Sequence, residues 1–394
     1  MTEGQVFEKD LIEKVRAYLL FKRYLNPSLI DFIDQTQSYD YIPEVTRIAE
    51  DLGIHASTVW KFMNSLSKKG LEFRGVPNIE GLGAVEISLF FNTYIHYEEV
   101  FKPLLREYAP IIPRGTYLKY IVPSANVDQY LNVILDQLGR EPSNIIKAPY
   151  VVIGKPNMRK HYDVSSRTIV VEWEDLYRMI ISLPKESIPR TSHRKKLDAI
   201  DLFIIRKLEV TPFNSLRRIT ELLNKEMSPV TPVNYIRVLR HYRNHIEGRE
   251  LIRGVRINPL PLYPVDTVPI TLIFEGHPTE LLRVVRVLTS HPYFPEGDMG
   301  NGPSSIIEGF LPMDELIELG EFMERLRVEG IVRSWNAKLL DFTNYRKLAL
   351  PVKPFLTPPE ELPKLDEGDI MSEVIESRPV IPSLQEVLGK GRTN

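Results

Sequence analysis

Arg74-Gly75-Val76 and Arg253-Gly254-Val255 each close a stretch patterned as helix, turn and helix, and each is followed by alternating strand and helix patterns. The chain therefore reads as one module written twice. In the first copy Val45, Ile48 and Leu52 recur at helical spacing until Gly53 breaks the run. A second helix, starting at Ser57 or at His55-Ala56, carries Val59, Phe62, Met63 and Leu66 towards a core, and Lys68-Lys69-Gly70 closes it with positive charge and a flexible stop. In the second copy residues 216–223 match the helix before the turn. Pro229-Val230-Thr231-Pro232 then opens a helix to about His245, with Tyr235, Ile236, Val238, Leu239, Tyr242 and Ile246 on its apolar side. Residues 7–22, 27–33 and 197–208 carry further amphipathic helical patterns, and residues 71–79 follow as a wing or linker strand.

The segments after each landmark read as α/β. In the first half, strands are expected at 85–91, 117–122 and 145–153, helices at 97–108 and 127–138, and a short irregular strand near 111–113. In the second half, strands are expected at 268–274, 305–310 and 331–342, with helices at 278–289 and 313–327. Landmarks match across the halves: Phe90-Phe91 with Ile273-Phe274, and Ile121-Val122-Pro123 with Phe310-Leu311-Pro312. The offset grows between them, and Glu296-Gly297-Asp298-Met299-Gly300-Asn301-Gly302 is the expected insertion. The fold class is α+β, two winged helix-turn-helix domains alternating with two ferredoxin-like α/β sandwich domains. The boundaries fall at 1–80, 81–153, a structured bridge at 154–192, 193–262, 263–350 and an acidic, Pro-rich tail at 351–394. One face of each sheet packs on helices, which leaves the other for a dimer or inter-repeat surface.

Composition sets bounds around this pattern. With 394 residues and 43% hydrophobic content, the chain is long enough for several cores. No apolar run approaches the roughly 20 residues that span a bilayer, and Met1-Thr2-Glu3-Gly4 does not begin a signal peptide, so a cytoplasmic location without membrane partners is expected. Cys is absent, which excludes disulfides and thiolate metal sites. The net charge of -2 gives no global attraction to nucleic acid. Locally the balance differs: residues 190–256 hold 15 Arg or Lys against 7 Asp or Glu, a surplus of eight.

The second helix of each helix-turn-helix is of the kind that enters a major groove, although a plain helical bundle carries the same pattern. The candidate DNA-contacting residues of the first module are Ser57, Thr58, Lys61, Asn64, Lys68, Lys69 and Arg74. Those of the second are Arg194, Lys195, Lys196, Arg217, Arg218, Asn234, Arg237, Arg240, His241, Arg243, Asn244 and Arg253. Arg reads guanine and Asn reads adenine, while either also serves phosphate or stays solvated.

The run Ile48-Ala49-Glu50-Asp51-Leu52-Gly53-Ile54-His55-Ala56-Ser57-Thr58-Val59, with Leu66-Ser67-Lys68-Lys69-Gly70 and the Arg74-Gly75-Val76 strand, resembles the Lrp/AsnC family of prokaryotic transcriptional regulators, common in archaea. The resemblance extends over about residues 40–153 and 197–342 and is weaker in the second helix-turn-helix. It implies a DNA-binding transcription regulator whose partner is double-stranded DNA, and whose α/β elements dimerise and sense a small effector. The fusion of two modules departs from the family, so a homodimer and an internal pseudo-dimer both stay open. No pocket motif assigns an effector. The alternative is an architectural or protein-interaction component of transcription machinery, since winged helices also bind proteins.

Catalytic patterns are sparse, and no enzyme, cofactor or metal is expected. His241 and His245 stand four apart, but neither an HExxH motif nor a third ligand accompanies them. Gly300-Asn301-Gly302 lacks the Lys-Ser/Thr of a phosphate loop, and Gly81-Leu82-Gly83 precedes a strand where a dinucleotide fingerprint follows one. Glu172 and Glu174 flank Trp173 and share a face if the segment is extended, with no base or metal partner nearby. The tail from 357 holds 8 acidic against 4 basic residues with scattered apolar points such as Ile370 and Val374, and it is expected to have little fold of its own or to dock along a sheet.

Overall fold

Capping and turn chemistry set the helices. In the computed structural model, which describes residues 26–67, 71, 73–163, 165, 168–187, 197–227, 231–257, 267–341, 343–365 and 374–377, helix α1 (Pro27–Ser38) opens with Asn26, whose Oδ1 accepts from the Leu29 amide. Helix α2 (Val45–Leu52) stops at Gly53, where φ is 62°, and α3 (Ala56–Ser67) buries Val59, Met63 and Leu66. Helices α4 (Val127–Leu138) and α5 (Trp173–Ser182) follow. The second helical cluster is α6 (Ala199–Val210), α7 (Leu216–Glu226) and α8 (Tyr235–His241), the last running into a π-helical turn, Tyr242–Glu247. Helices α9 (Pro278–Leu288) and α10 (Glu315–Val328) complete the second half. The helix expected at 7–22 lies outside the described residues. Among the described residues, no helix is long and apolar enough to cross a membrane.

The chain is of the α+β kind, built around a large antiparallel sheet. Strand β1 (Phe73–Pro77) precedes β2 (Ala84–Phe91), β3 (Leu105–Ile112), β4 (Thr116–Pro123), β5 (Asn144–Ala148) and β6 (Tyr150–Ile153). The bridge adds β7 (Tyr162–Asp163) and β8 (Thr168–Ile169). Then come β9 (Ile252–Ile257), β10 (Thr267–Glu275), β11 (Glu296–Met299), β12 (Ser304–Pro312), β13 (Ser334–Leu340), β14 (Arg346–Leu348) and β15 (Val374–Ser377). The main sheet has 11 strands, and its path runs β5-β2-β4-β3-β13-β10-β12-β11-β6, with β14 also paired to β3 and β15 paired to β14. Each half contributes four strands in the order fourth, first, third, second. The halves join where Leu339 and Leu340 pair with Ile112 and Ile111. The two ends of the path, β5 and β6, are separated in sequence by Pro149 alone, so the sheet curls round until its ends meet.

Alternation along each strand then sorts side chains between two environments. Val85, Ile87 and Leu89 pack with Tyr130, Leu131 and Ile134 of α4, whereas Glu86, Ser88 and Phe90 have the opposite phase and point into the curl. In the second half Leu272 and Phe274 share a core with Leu281 and Val285 of α9 and with Phe322 and Met323 of α10.

The two Arg-Gly-Val landmarks pair with each other. Strands β1 and β9 form a separate two-stranded ribbon with Gly75 opposite Val255 and Arg74 opposite Arg256. Helix α6 of the second cluster lies on β1, and α1 of the first lies on β9. A Cβ at Gly75 would stand 2.4 Å from the Leu208 carbonyl oxygen, and one at Gly254, where φ is 94°, would stand 2.2 Å from that of Tyr39. The repeated glycine is thus the point at which each module admits the other's backbone.

Several expectations are corrected here. Residues 97–108 form a single 3-10 turn at Tyr97–Glu99 followed by β3, because Pro103 removes a helix donor in the middle of the run. The strand expected at 145–153 splits at Pro149 into β5 and β6, which lie at opposite ends of the path. The supposed insertion at 296–302 contains β11. The segment around Trp173 is not extended: Trp173 begins α5 and places Glu174 on a helix, hydrogen-bonded to Arg178 and Arg325. Tyr235 and Ile236, placed on the apolar side of α8, are exposed. The tail does not lie loose throughout: Leu362 is buried, and β15 pairs with β14.

Gly154 closes β6 with no room to spare, since a Cβ there would stand 1.5 Å from the Thr289 carbonyl oxygen. Gly154→Ala is expected to lower the free energy of unfolding by at least about 1–3 kcal/mol, in the range of overpacked sites. Gly302→Ala, with nothing within 4 Å, should stay within about 0.5 kcal/mol of the parent. Parallel denaturant titrations of the two variants check this, and equal losses would contradict it.

Candidate active site at the seam of the half-sheets

Inside the curl, charge stands where the strand pattern calls for apolar residues. Lys119 on β4 is 1% exposed and lies among four carboxyl groups: Glu86 of β2 at 3.6 Å, Glu296 and Asp298 of β11 at 3.3 and 2.9 Å, and Glu308 of β12 in closer contact still. Lys347 on β14 bridges Glu107 of β3 and Glu296, at 2.9 Å each. The Tyr117 hydroxyl donates to Glu308 at 2.6 Å. Beside them Arg106 pairs with Glu209 of α6 at 2.6 Å and donates to the Leu348 carbonyl. Ladder register brings the groups together, for Glu107 stands opposite Lys119 and also opposite Lys347, and Glu296 stands opposite Glu308.

Three cations and six carboxyl groups do not balance unless some carboxyls keep their protons. Burial pushes Glu86 up to about 8. Burial also raises Asp298, and it lifts Glu308 well above the usual carboxylate range with help from the Glu107 charge. Glu107 and Glu296 go the other way. Burial opposes their ionisation, but the combined charges of Lys119 and Lys347 hold both below the ordinary value. The centre therefore carries protonated and ionised carboxyls side by side, a common arrangement for acid and base roles in one site. Oxygens of Glu107, Glu296 and Glu308 approach within 4.8 Å of one another, as a metal site requires. Two ammonium groups already stand among them, so a divalent cation would meet like charge and the donor set does not fit one.

The centre opens on a cavity of about 100 Å³. Glu86, Glu107, Glu296 and Lys347 line it from the seam, Arg106 and Glu209 from the side, and Arg74 and Arg256 from the ribbon. Arg256 donates to the carbonyls of Gly154 and Gln37, and burial draws it down to about 10. Glu107 meets the Lys347 ammonium at 2.9 Å, and Asp298 meets that of Lys119 at 2.9 Å.

The residues proposed to read DNA lie on several elements. Ser57, Lys61 and Asn64 are exposed on α3, and Thr58 is half-buried. Arg74 donates to the Val210 carbonyl at 2.7 Å and lines the cavity, and Arg253 pairs with Glu80 at 2.8 Å. Asn234 caps α8 by accepting from the Arg237 amide, and His241 contacts Asp201. Arg217 stacks over Tyr235 and Arg218 pairs with Glu221, whereas Arg237, Arg240, Arg243 and Asn244 are exposed. Lys68, Lys69, Arg194, Lys195 and Lys196 lie outside the described residues. The wing or linker strand expected at 71–79 contains β1, which pairs with β9. The seam residues escaped the sequence reading, although isolated charges inside apolar strands, as in Val85-Glu86-Ile87, Leu118-Lys119-Tyr120 and Ile307-Glu308, were a usable signal.

Lys119→Met strands ionised carboxylates without their main counter-charge and is expected to cost about 3–5 kcal/mol, as for other broken buried pairs. A loss below about 1 kcal/mol in denaturant titration would show that the seam does not depend on this ammonium. Glu86 supplies a pH test. Between about 4.5 and 8 the folded chain holds a proton that the unfolded chain releases, so this group's contribution falls as pH rises through that window. Glu86→Gln should gain in Tm relative to the parent from pH 5 to pH 8, and a difference independent of pH would contradict the assignment.

No family model and no curated protein matches the chain. Two solved structures align with it over most of its length. One is a crystal structure of the siroheme decarboxylase NirDL, with 12% identity and a TM-score of 0.44, covering 86% of this chain and 98% of that one. The other is the same enzyme in co-complex with an iron-uroporphyrin III analogue, with 12% identity and a TM-score of 0.46, covering 86% and 99%. The identification as a tandem Lrp/AsnC regulator, the DNA partner and the non-enzymatic reading are corrected by these matches, which are to an enzyme, and the protein-interaction alternative gains nothing from them. At such identity and TM-score the likeness does not extend to activity.

Proposed function

We propose that the chain is an enzyme that works by proton transfer, with the seam as its acid–base centre and a carboxylate-bearing molecule as its substrate. The observation that carries this reading is Glu86, a carboxyl that keeps its proton near neutral pH on the wall of a cavity it shares with Arg74, Arg106, Arg256 and Lys347. A carboxyl with a value near 8 holds a transferable proton at the working pH, as a general acid must. Glu107, held ionised by the charges of Lys119 and Lys347, supplies the complementary base. The guanidinium groups match a carboxylate in geometry and charge. A volume of about 100 Å³ holds roughly three waters, so it takes one carboxylate arm of a substrate and not a large molecule whole.

The finer architecture belongs to the same reading. The strand order of each half is that of a ferredoxin-like sandwich, with the first helix lost from the first copy, and each helical cluster with its ribbon strand is of winged helix-turn-helix type. The domain division at 1–80, 81–153, 154–192, 193–262, 263–350 and 351–394 is kept as part of this proposal.

The test is incubation of the full chain in deuterated buffer with a panel of mono- and polycarboxylates, an iron-uroporphyrin III analogue among them. Carbon-bound deuterium and released CO2 are measured. Turnover of at least one member is expected, and Glu86→Gln should slow it by about 100-fold or more while leaving binding within a factor of a few. Turnover that is indifferent to Glu86→Gln, or no binding by any member, would overturn the proposal.

A further inference from the structure

A second cluster of chemically able side chains lies away from the seam, where α6 meets the end of α8. Asp201, 1% exposed, directs Oδ1 at two imidazoles: His241 Nδ1 stands 2.8 Å away and His245 Nδ1 2.9 Å away, with the latter 3.0 Å from Oδ2 as well. Asp198 Oδ1 lies 3.7 Å from His241 Nδ1. One ligand atom from each of Asp201, His241 and His245 falls within 4.8 Å of the others, and the two rings are 4.9 Å apart at 76°.

We propose that Asp201, His241 and His245 form a binding site for a divalent transition-metal ion of the zinc class, with Asp198 or water as fourth ligand. Zinc bonds of about 2.0–2.2 Å to nitrogen and oxygen place tetrahedral ligand atoms roughly 3.3 Å apart. The observed separations reach that value with small rotations of the side chains. Without an ion, both rings must carry a proton on Nδ1 to donate to one carboxylate, and an ion replaces both protons with a single positive centre. The carboxylate is already oriented for the task, because its Oδ2 accepts the Asp198 amide within the capping box that opens α6. Backbone geometry points the same way. His245 lies in the π-helical turn Tyr242–Glu247, a form that is rare and often found at functional sites. His245 and Asp198 are 35% and 51% exposed, so the ion has a route in and an open side to its coordination sphere. Two nitrogen donors favour zinc, cobalt or nickel over magnesium or calcium.

The experiment uses the full chain, stripped with chelator and dialysed. Calorimetric titration with Zn2+ and visible absorption with Co2+ are expected to give one ion per chain, with a rise in Tm and no comparable effect of Mg2+. Affinity should fall at least tenfold in His245→Gln and in His241→Gln, each of which removes one nitrogen donor. His245→Gln alters a partly exposed ring, so its Tm in the presence of chelator should match the parent and separate lost binding from lost folding. Substoichiometric binding, or equal affinity in parent and both variants, would overturn the site. The outcome is independent of the seam, since none of these residues lines its cavity.

Discussion

A lysine with nowhere to put its charge except among carboxyl groups constrains the centre of this molecule. Lys119 is buried on β4 and contacts carboxyls from both halves of the chain. Desolvating an ammonium costs several kcal/mol, and only close, opposite charge offsets it. Glu296, Asp298 and Glu308 come from β11 and β12, so three of the four carboxyls that meet Lys119 arrive only when the second half-sheet closes against the first. The curl of the sheet, the junction of β3 with β13 and the placement of β14 all serve that closure. The excess of carboxyls over cations then leaves protons trapped on some of them, and the feature that holds the halves together is also the one with chemistry to offer.

The ribbon of β1 and β9 imposes a second constraint of the same form. Each repeated glycine accepts a carbonyl from the opposite helical cluster, Leu208 at Gly75 and Tyr39 at Gly254. Neither helical cluster can therefore be lifted off alone. Arg74 and Arg256 leave this ribbon to line the cavity, so the position of the helices bears directly on the electrostatics of the seam. A pair of surfaces that in isolation suits external recognition is here turned inward by pairing.

Elements were legible wherever local chemistry decides them. Gly53 ends α2 as its spacing required, and the strands at 84–91, 116–123 and 304–312 follow their apolar runs. Legibility failed where tertiary context wins. Residues 97–108 have helical spacing, yet Pro103 blocks the helix and Val100 and Leu104 are buried without one. Strand β11, Glu-Gly-Asp-Met, has no β-forming residue and two glycines nearby, so it reads as a loop. It is a strand because β6 and β12 pair with both of its edges. The two carboxyls it supplies to the seam were invisible for the same reason. At the histidine pair, sequence showed the spacing of His241 and His245 but not Asp201, which is 40 positions away and reaches them only when α6 packs on α8.

Duplication within a single chain explains how such a centre can exist. The Pro123 and Pro312 landmarks are 189 positions apart, and the same offset carries Lys119 onto Glu308. The two are equivalent positions on equivalent strands, and they contact each other. In an assembly of two identical chains, that position would set lysine against lysine or glutamate against glutamate, and like charges in direct contact at low dielectric are strongly unfavourable. Fusing the copies frees each to differ, so one supplies the ammonium and the other the carboxyl. The same asymmetry leaves Glu86 without a counterpart: the offset of 183 between Phe90-Phe91 and Ile273-Phe274 carries it onto Pro269, which has no charge. The cavity accordingly has one acid wall and one cationic side, a polarity that two identical halves related by exact symmetry could not build.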